Sequence, residues 1–156
     1  MSGAGSPTIR LSGLSDLKVA IVASMWHDEI MTGLINGALE TCAGAGVTDP
    51  KVVRVTGSFE LPVVARALTQ RGYDAVIALG VIIRGGTPHF EYVSAATSEG
   101  LVRVAVDSGV PVGFGLLTCD NEEQARDRAG LPGSRENKGR EAAEAALSTA
   151  VTLRTL

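Results

Sequence analysis

The chain has 156 residues, 45% apolar and 20% charged, with a formal net charge of −3 and two cysteines. That balance describes one globular domain with a substantial core and excludes a disordered or fibrous chain. The acidic excess argues against nucleic acid as the main partner; one small phosphate could still be held by one or two Arg or Lys.

Residues 1–15 are rich in Gly, Ser and Ala without a period and read as an N-terminal arm, flexible or docked; residues 16–156 read as a single domain. No positive start precedes an apolar run, so no signal peptide is expected. No apolar stretch reaches the roughly 18–20 residues of a membrane span. Lys18 to Ser24 is a β-branched apolar run and predicts a buried strand. Ile30, Met31, Leu34, Ile35, Ala38, Leu39 and Cys42 then recur at helical spacing, with Asp28 and Glu29 in the first turn and Gly44 and Gly46 at the end. Lys51–Val55 predicts a second strand. Gly57 and Ser58 open a helix to about Gln70, with Ser58 as N-cap and Pro62 in the first turn.

Ala75–Ile83 predicts a third strand, apolar on both faces. A Gly-rich loop follows, then a helix from about Phe90 to Ser108 and a fourth strand over Pro111–Leu117. Two helices close the chain, about Asn121–Ala129 and Lys138–Leu153, with a Gly/Pro/Ser turn between them. Strands that alternate with helices and are apolar throughout predict an α/β fold with a parallel sheet covered on both faces. Ligands in such sheets bind at the carboxyl ends of the strands. Trp26, the Gly57–Glu60 turn, the Arg84–His89 loop and the Thr118–Asn121 turn all follow strand ends, and are expected to converge on one edge.

The third loop carries the most chemistry. Gly85, Gly86 and Thr87 put unhindered N–H groups and a hydroxyl ahead of a helix, a natural anion site. His89 follows Pro88; a histidine there can pass protons near neutral pH, or simply cap its own turn. Trp26 could stack on a flat heterocycle or belong to a core or interface. Glu60 could accept hydrogen bonds from a polyol or sit in solvent at a helix start. Arg128 and Lys138 flank the last turn, as a phosphate fork and a point charge or as two solvated cations; Asp120, Glu122, Glu123, Asp127 and Glu136 lie close by in sequence and could neutralise them. His27 reads most simply as a surface residue near a helix start, and otherwise as one that lines a pocket. Cys42 and Cys119 stand far apart without metal-like spacing and read as buried free thiols, which suits a reducing cytoplasm. No metal site is expected. The remaining picture is a site without a cofactor, with one acid/base group, one anion hole and one aromatic plate.

Leu79-Gly-Val-Ile-Ile-Arg-Gly-Gly-Thr-Pro-His-Phe-Glu-Tyr-Val93 resembles the hallmark loop of the 6,7-dimethyl-8-ribityllumazine synthase family, which acts in riboflavin biosynthesis. Val22-Ala-Ser-Met-Trp-His27, Gly57-Ser-Phe-Glu-Leu-Pro62, Pro111–Thr118, Glu123-Gln-Ala-Arg-Asp-Arg128 and Asn137-Lys-Gly139 are similar in the same order, so the resemblance spans the chain from about residue 17. It implies a flavodoxin-like, three-layer αβα sandwich on a four-stranded parallel sheet, with the arm adding a strand to a neighbouring subunit. It implies condensation of 5-amino-6-(D-ribitylamino)uracil with 3,4-dihydroxy-2-butanone 4-phosphate, releasing phosphate, with no cofactor.

The resemblance also assigns roles. His89 is the proton-transfer residue; Gly86, Thr87 and Arg128 bind the phosphate. Trp26, Ser58, Phe59, Glu60, Val81, Ile82 and Ile83 hold the ribitylaminouracil, with Phe114 and Lys138 reaching it from the next subunit. Three departures stand out: Gly86 replaces a side chain that is often acidic, Thr56 stands where Pro is frequent, and Trp26-His27 replaces a common Phe-Asn pair. Family members form pentamers or sixty-subunit shells. The long Arg128–Lys138 segment, with Leu131-Pro132-Gly133, favours a homopentamer. Two other readings are a flavodoxin-like module that binds flavin or lumazine without catalysis, and a riboflavin synthase of the archaeal type.

Overall fold

Runs of β-branched and small apolar residues supply the four strands: β1 (Val19–Ser24), β2 (Lys51–Val55), β3 (Ala75–Ile83) and β4 (Val112–Cys119). In the computed structural model, which describes residues 5–156, these pair in parallel in the order β2-β1-β3-β4. The part of the expected arm that falls on residues 1–4 lies outside the described residues. β1 is buried at every position and β3 at its first seven, because both are interior strands with a helix layer on each face. β4 runs two residues past its expected end, since Ile82 and Ile83 continue to pair with Thr118 and Cys119.

Side chains alternate along the strands, so the core divides in two. Val19, Ile21 and Ala23 of β1, with Ile77 and Leu79 of β3, pack on Ile30, Met31 and Leu34 of α1 (Asp28–Ala45) and on Ala142, Ala146 and Leu147 of α5 (Lys138–Arg154). Ala20, Val22, Val76 and Ala78 face the opposite layer: Leu61, Ala65 and Leu68 of α2 (Leu61–Thr69), Leu101 and Val104 of α3 (His89–Ser108). The result is a three-layer αβα sandwich on a four-stranded parallel sheet. Leu14 belongs to the first core, and its N–H donates to the Ala45 carbonyl at 3.0 Å.

The helix ends are set by local chemistry. α1 runs through Gly44 and stops at Gly46, whose φ of 89° suits a residue without a Cβ. Its start is unusual: His27 holds a left-handed backbone, φ 57°, with no side-chain cap. Ser58 does not cap α2. It opens a single 3-10 turn, Ser58–Glu60, and α2 begins after it at Leu61, with Pro62 in the first turn. The Glu60 carboxylate does not cap α2 either; it reaches back to the head of the turn and accepts the Gly57 N–H at 2.9 Å. α4 (Glu122–Arg126) is shorter than expected, because an Asn121 cap starts it and a turn-rich segment takes over at Asp127. Both cysteines are buried and free; burial pushes the Cys42 thiol up to about 11. Among the described residues no helix is long and apolar enough to cross a membrane.

Candidate active site

β1 and β3 are adjacent, yet the chain leaves β1 toward β2 on one side and β3 toward β4 on the other. Their carboxyl ends therefore open a crevice between diverging connections. A cleft of about 720 Å³ lies there. Trp26 and His27 come from the end of β1, Gly57 to Glu60 from the turn after β2, Val81 to Ile83 from the end of β3, and His89 from the start of α3. Every residue assigned to the ribitylaminouracil except Phe114 and Lys138 lines this cleft.

Ser58 is buried, and its hydroxyl lies 3.5 Å from the Val81 carbonyl. It is seated on Gly80: a Cβ at that position would come within 2.7 Å of the Ser58 Oγ and 2.9 Å of Leu61 and Leu116 carbons. The missing side chain on β3 thus lets the turn after β2 lie directly on the sheet. Trp26, Phe59 and Tyr92 are 64%, 61% and 75% exposed around the cleft. Burying one such side chain gains on the order of 2 kcal/mol, so rings left open here form a platform suited to a flat ligand or to a neighbouring surface.

The β3–α3 loop is tied at its base. The Arg84 N–H donates to the Cys119 carbonyl at 2.9 Å, and its guanidinium pairs with Asp120 at 2.9 Å and with Glu91. Those hydrogen bonds hold Asp120 and Glu91 below the usual carboxylate range. The same guanidinium lies 4.2 Å from the Phe90 ring centre. Beyond this clamp Gly85, Gly86, Thr87 and His89 are exposed. A Cβ on Gly86 would meet nothing within 4 Å, so neither packing nor backbone strain demands glycine there. The His89 side chain does not cap α3. The Thr87 hydroxyl approaches the His89 N–H instead, at 3.4 Å, which leaves the imidazole open to the cleft.

Phe114, Arg128 and Lys138 do not join this group. They line a second cleft of about 680 Å³ along the outer side of β4, with Thr118, Glu136 and Glu141. The four strand ends share one edge of the sheet, as expected, but their side chains part into two clefts that have no lining residue in common. In the second, Lys138 Nζ lies 2.7 Å from Glu136 Oε2 and 2.8 Å from Glu141 Oε2. Burial pulls the Lys138 ammonium down, and the two carboxylate hydrogen bonds outweigh it and raise it. Arg128 is pinned through Nη1 to the Gln124 carbonyl at 2.8 Å. Among the described residues no group of three or more His, Cys, Asp or Glu is arranged to hold a metal ion.

The sequence reading left out Tyr92, Val93 and Ala96, which also line the first cleft. With His89 they follow the spacing of one helix face, and that spacing was the available signal. It also left out the Arg84 clamp, whose signal was opposite charges near the ends of adjacent strands. His27, read most simply as a surface residue, lines the cleft.

Residues 16–154 match the family model described as 6,7-dimethyl-8-ribityllumazine synthase. Proteins bearing that name are similar over essentially their whole length. That of Streptomyces coelicolor is 58% identical over 156 residues, covering 100% of this chain and 97% of the relative. That of Leifsonia xyli subsp. xyli is 61% identical over 158 residues, covering 100% and 99%. That of Renibacterium salmoninarum is 58% identical over 160 residues, covering 99% and 100%.

Proposed function

Because the chain belongs to the 6,7-dimethyl-8-ribityllumazine synthase family, we propose that the first cleft of one subunit and the second cleft of the next close on each other to form its active site. The chain is a transferase of riboflavin biosynthesis. It condenses 5-amino-6-(D-ribitylamino)uracil with 3,4-dihydroxy-2-butanone 4-phosphate to 6,7-dimethyl-8-ribityllumazine, with release of phosphate and water. It works as a homo-oligomer on small-molecule substrates; the finer reading is a homopentamer, cytoplasmic and independent of any cofactor.

One observation carries the shared site: the acid/base candidate His89 and the cations Arg128 and Lys138 line different clefts of the same chain. A phosphate that leaves beside His89 needs a cation, and the neighbour's second cleft supplies two. In this reading the indole of Trp26 stacks on the pyrimidine, and Ser58, Phe59 and Glu60 hold the ribityl chain. The strand end Val81–Ile83 borders the ring, while Phe114 and Lys138 close over it from the neighbour. The Gly86 and Thr87 N–H groups and the neighbour's Arg128 receive the phosphate, which backbone donors and a guanidinium fork both suit.

The chemistry is imine formation, phosphate elimination, tautomerisation and ring closure. Each step moves protons, and none transfers electrons to a carrier. His89, open to the cleft, relays those protons, while holding two substrates together supplies much of the remaining rate. Residues 1–15 act as the arm that adds a strand to a neighbour's sheet; among the described residues β2 and β4 are the two edge strands, and an open edge is what such an arm pairs with. The test is to mix the purified chain with both substrates and follow the lumazine by absorbance and fluorescence. Product above the uncatalysed background is expected, and none above it would refute the reading.

A further inference from the structure

We propose that Glu136 is a positioning residue of the shared site: its carboxylate, 2.7 Å from Lys138 Nζ, holds that ammonium in the second cleft beside Arg128. The proposal rests on reading that cleft as half of the active site.

The backbone places the three residues together. Ala129 and Asn137 form an antiparallel bridge, the Lys138 N–H donates to the Arg128 carbonyl at 2.8 Å, and the Glu136 N–H donates to the Asp127 carbonyl at 3.0 Å. Asn137 locks this ladder. Its side chain caps α5 by accepting the Arg140 N–H at 2.9 Å, and it lies so close to Gly37 of α1 and Gly130 that a Cβ on either would overlap it. The two cations are thus adjacent by construction, and their like charges would drive the flexible side chains apart.

Two carboxylates answer that repulsion. Glu141 lies one helical turn from Lys138, an ordinary pairing on a helix surface. Glu136 comes from the loop, with its side chain 20% exposed against 14% for Lys138. Lys138 first, and Arg128 to a lesser degree, hold its carboxylate below the usual range, so it is charged beside both cations. With Arg128, the four groups sum to no net charge. Glu136 therefore has opposite effects on the two substrates. It orients Lys138 toward the pyrimidine substrate, yet it competes with an incoming phosphate for Arg128.

That opposition is what a merely structural residue would not show. In steady-state kinetics of the full-length assembled chain, Glu136→Gln, which removes one half of the ion pair with Lys138, should raise the KM for the pyrimidine substrate about tenfold. The KM for the butanone phosphate should stay constant or fall. Glu136→Asp should recover most of the loss, and in a Lys138→Met background Glu136→Gln should add nothing further. Both KM values rising together, neither moving, or an additive loss on Lys138→Met would overturn the proposal. If Glu136→Gln does not assemble, Glu141→Gln, which removes the other carboxylate and leaves the ladder intact, should raise only the pyrimidine KM, and equal rises in both would overturn it. A wild-type chain that makes no lumazine would refute the functional reading instead.

Discussion

The first cleft is floored by strand ends and ringed by open aromatic side chains, whereas the second sets ion-paired residues on a short hydrogen-bonded ladder against an apolar wall that includes Phe114, Leu116 and Ala142. They also differ in origin. Trp26, Ser58, Val81 and His89 are brought together only by the register of three parallel strands. Arg128, Glu136 and Lys138 lie within one segment that folds on itself. The difference teaches that the two clefts proposed as half-sites are built differently, one around aromatic rings and one around ion-paired cations, so each should respond to a different kind of damage.

Substitutions can break that division or sharpen it. His89→Ala should have the largest effect, lowering kcat by about 10²–10⁴-fold, the range for a general acid/base group, with substrate KM values much less changed; an unchanged kcat would remove His89 from proton transfer. Arg128→Ala should come next. Loss of a charge-assisted phosphate contact corresponds to about 1.5–3 kcal/mol, and so to a roughly tenfold to hundredfold rise in the KM for the butanone phosphate. An equal rise for the pyrimidine substrate would mean that the charged cleft is not a phosphate clamp.

Gly80→Ala should be the mildest for chemistry and the most telling for the sheet. The new methyl would press on Ser58, Leu61 and Leu116. Overpacking of this kind costs about 1–3 kcal/mol, read as a lower Tm at fixed protein concentration, and the displaced Ser58 turn should weaken the pyrimidine substrate alone. A phosphate KM that rose with it would show that the two half-sites are mechanically joined.

What the sequence made legible follows from where the physics is local. β1 and β3 were readable because burial on both faces demands unbroken apolar runs, and the C-terminus of α1 because Gly46 meets the left-handed backbone there. Ser58 was misread because Ser at a helix start is a common cap; its burial on Gly80 depends on a strand more than twenty residues away. β4 ran long because pairing with β3, not its own sequence, decides its end. Of the site, Trp26, Glu60 and His89 were legible as candidates for the first cleft. The parting of Phe114, Arg128 and Lys138 from them was not readable from spacing, because it depends on which side of an edge strand each faces; only the family resemblance pointed to it. Glu136 was legible only as one of five nearby acidic residues that could neutralise Arg128 and Lys138; the ladder is what sets it beside Lys138.

The most direct test of the shared site is complementation. His89→Ala and Arg128→Ala chains are co-expressed so that they assemble at random, and are assayed with the butanone phosphate well below the raised KM of Arg128→Ala, where each variant alone is nearly inactive. In a ring of heterologous contacts, about a quarter of the interfaces then join an intact first cleft to an intact second one, and lumazine formation should return to about a quarter of the wild-type rate. Activity no higher than the average of the two separate variants would contradict the account, because it would place His89 and Arg128 in the service of the same chain.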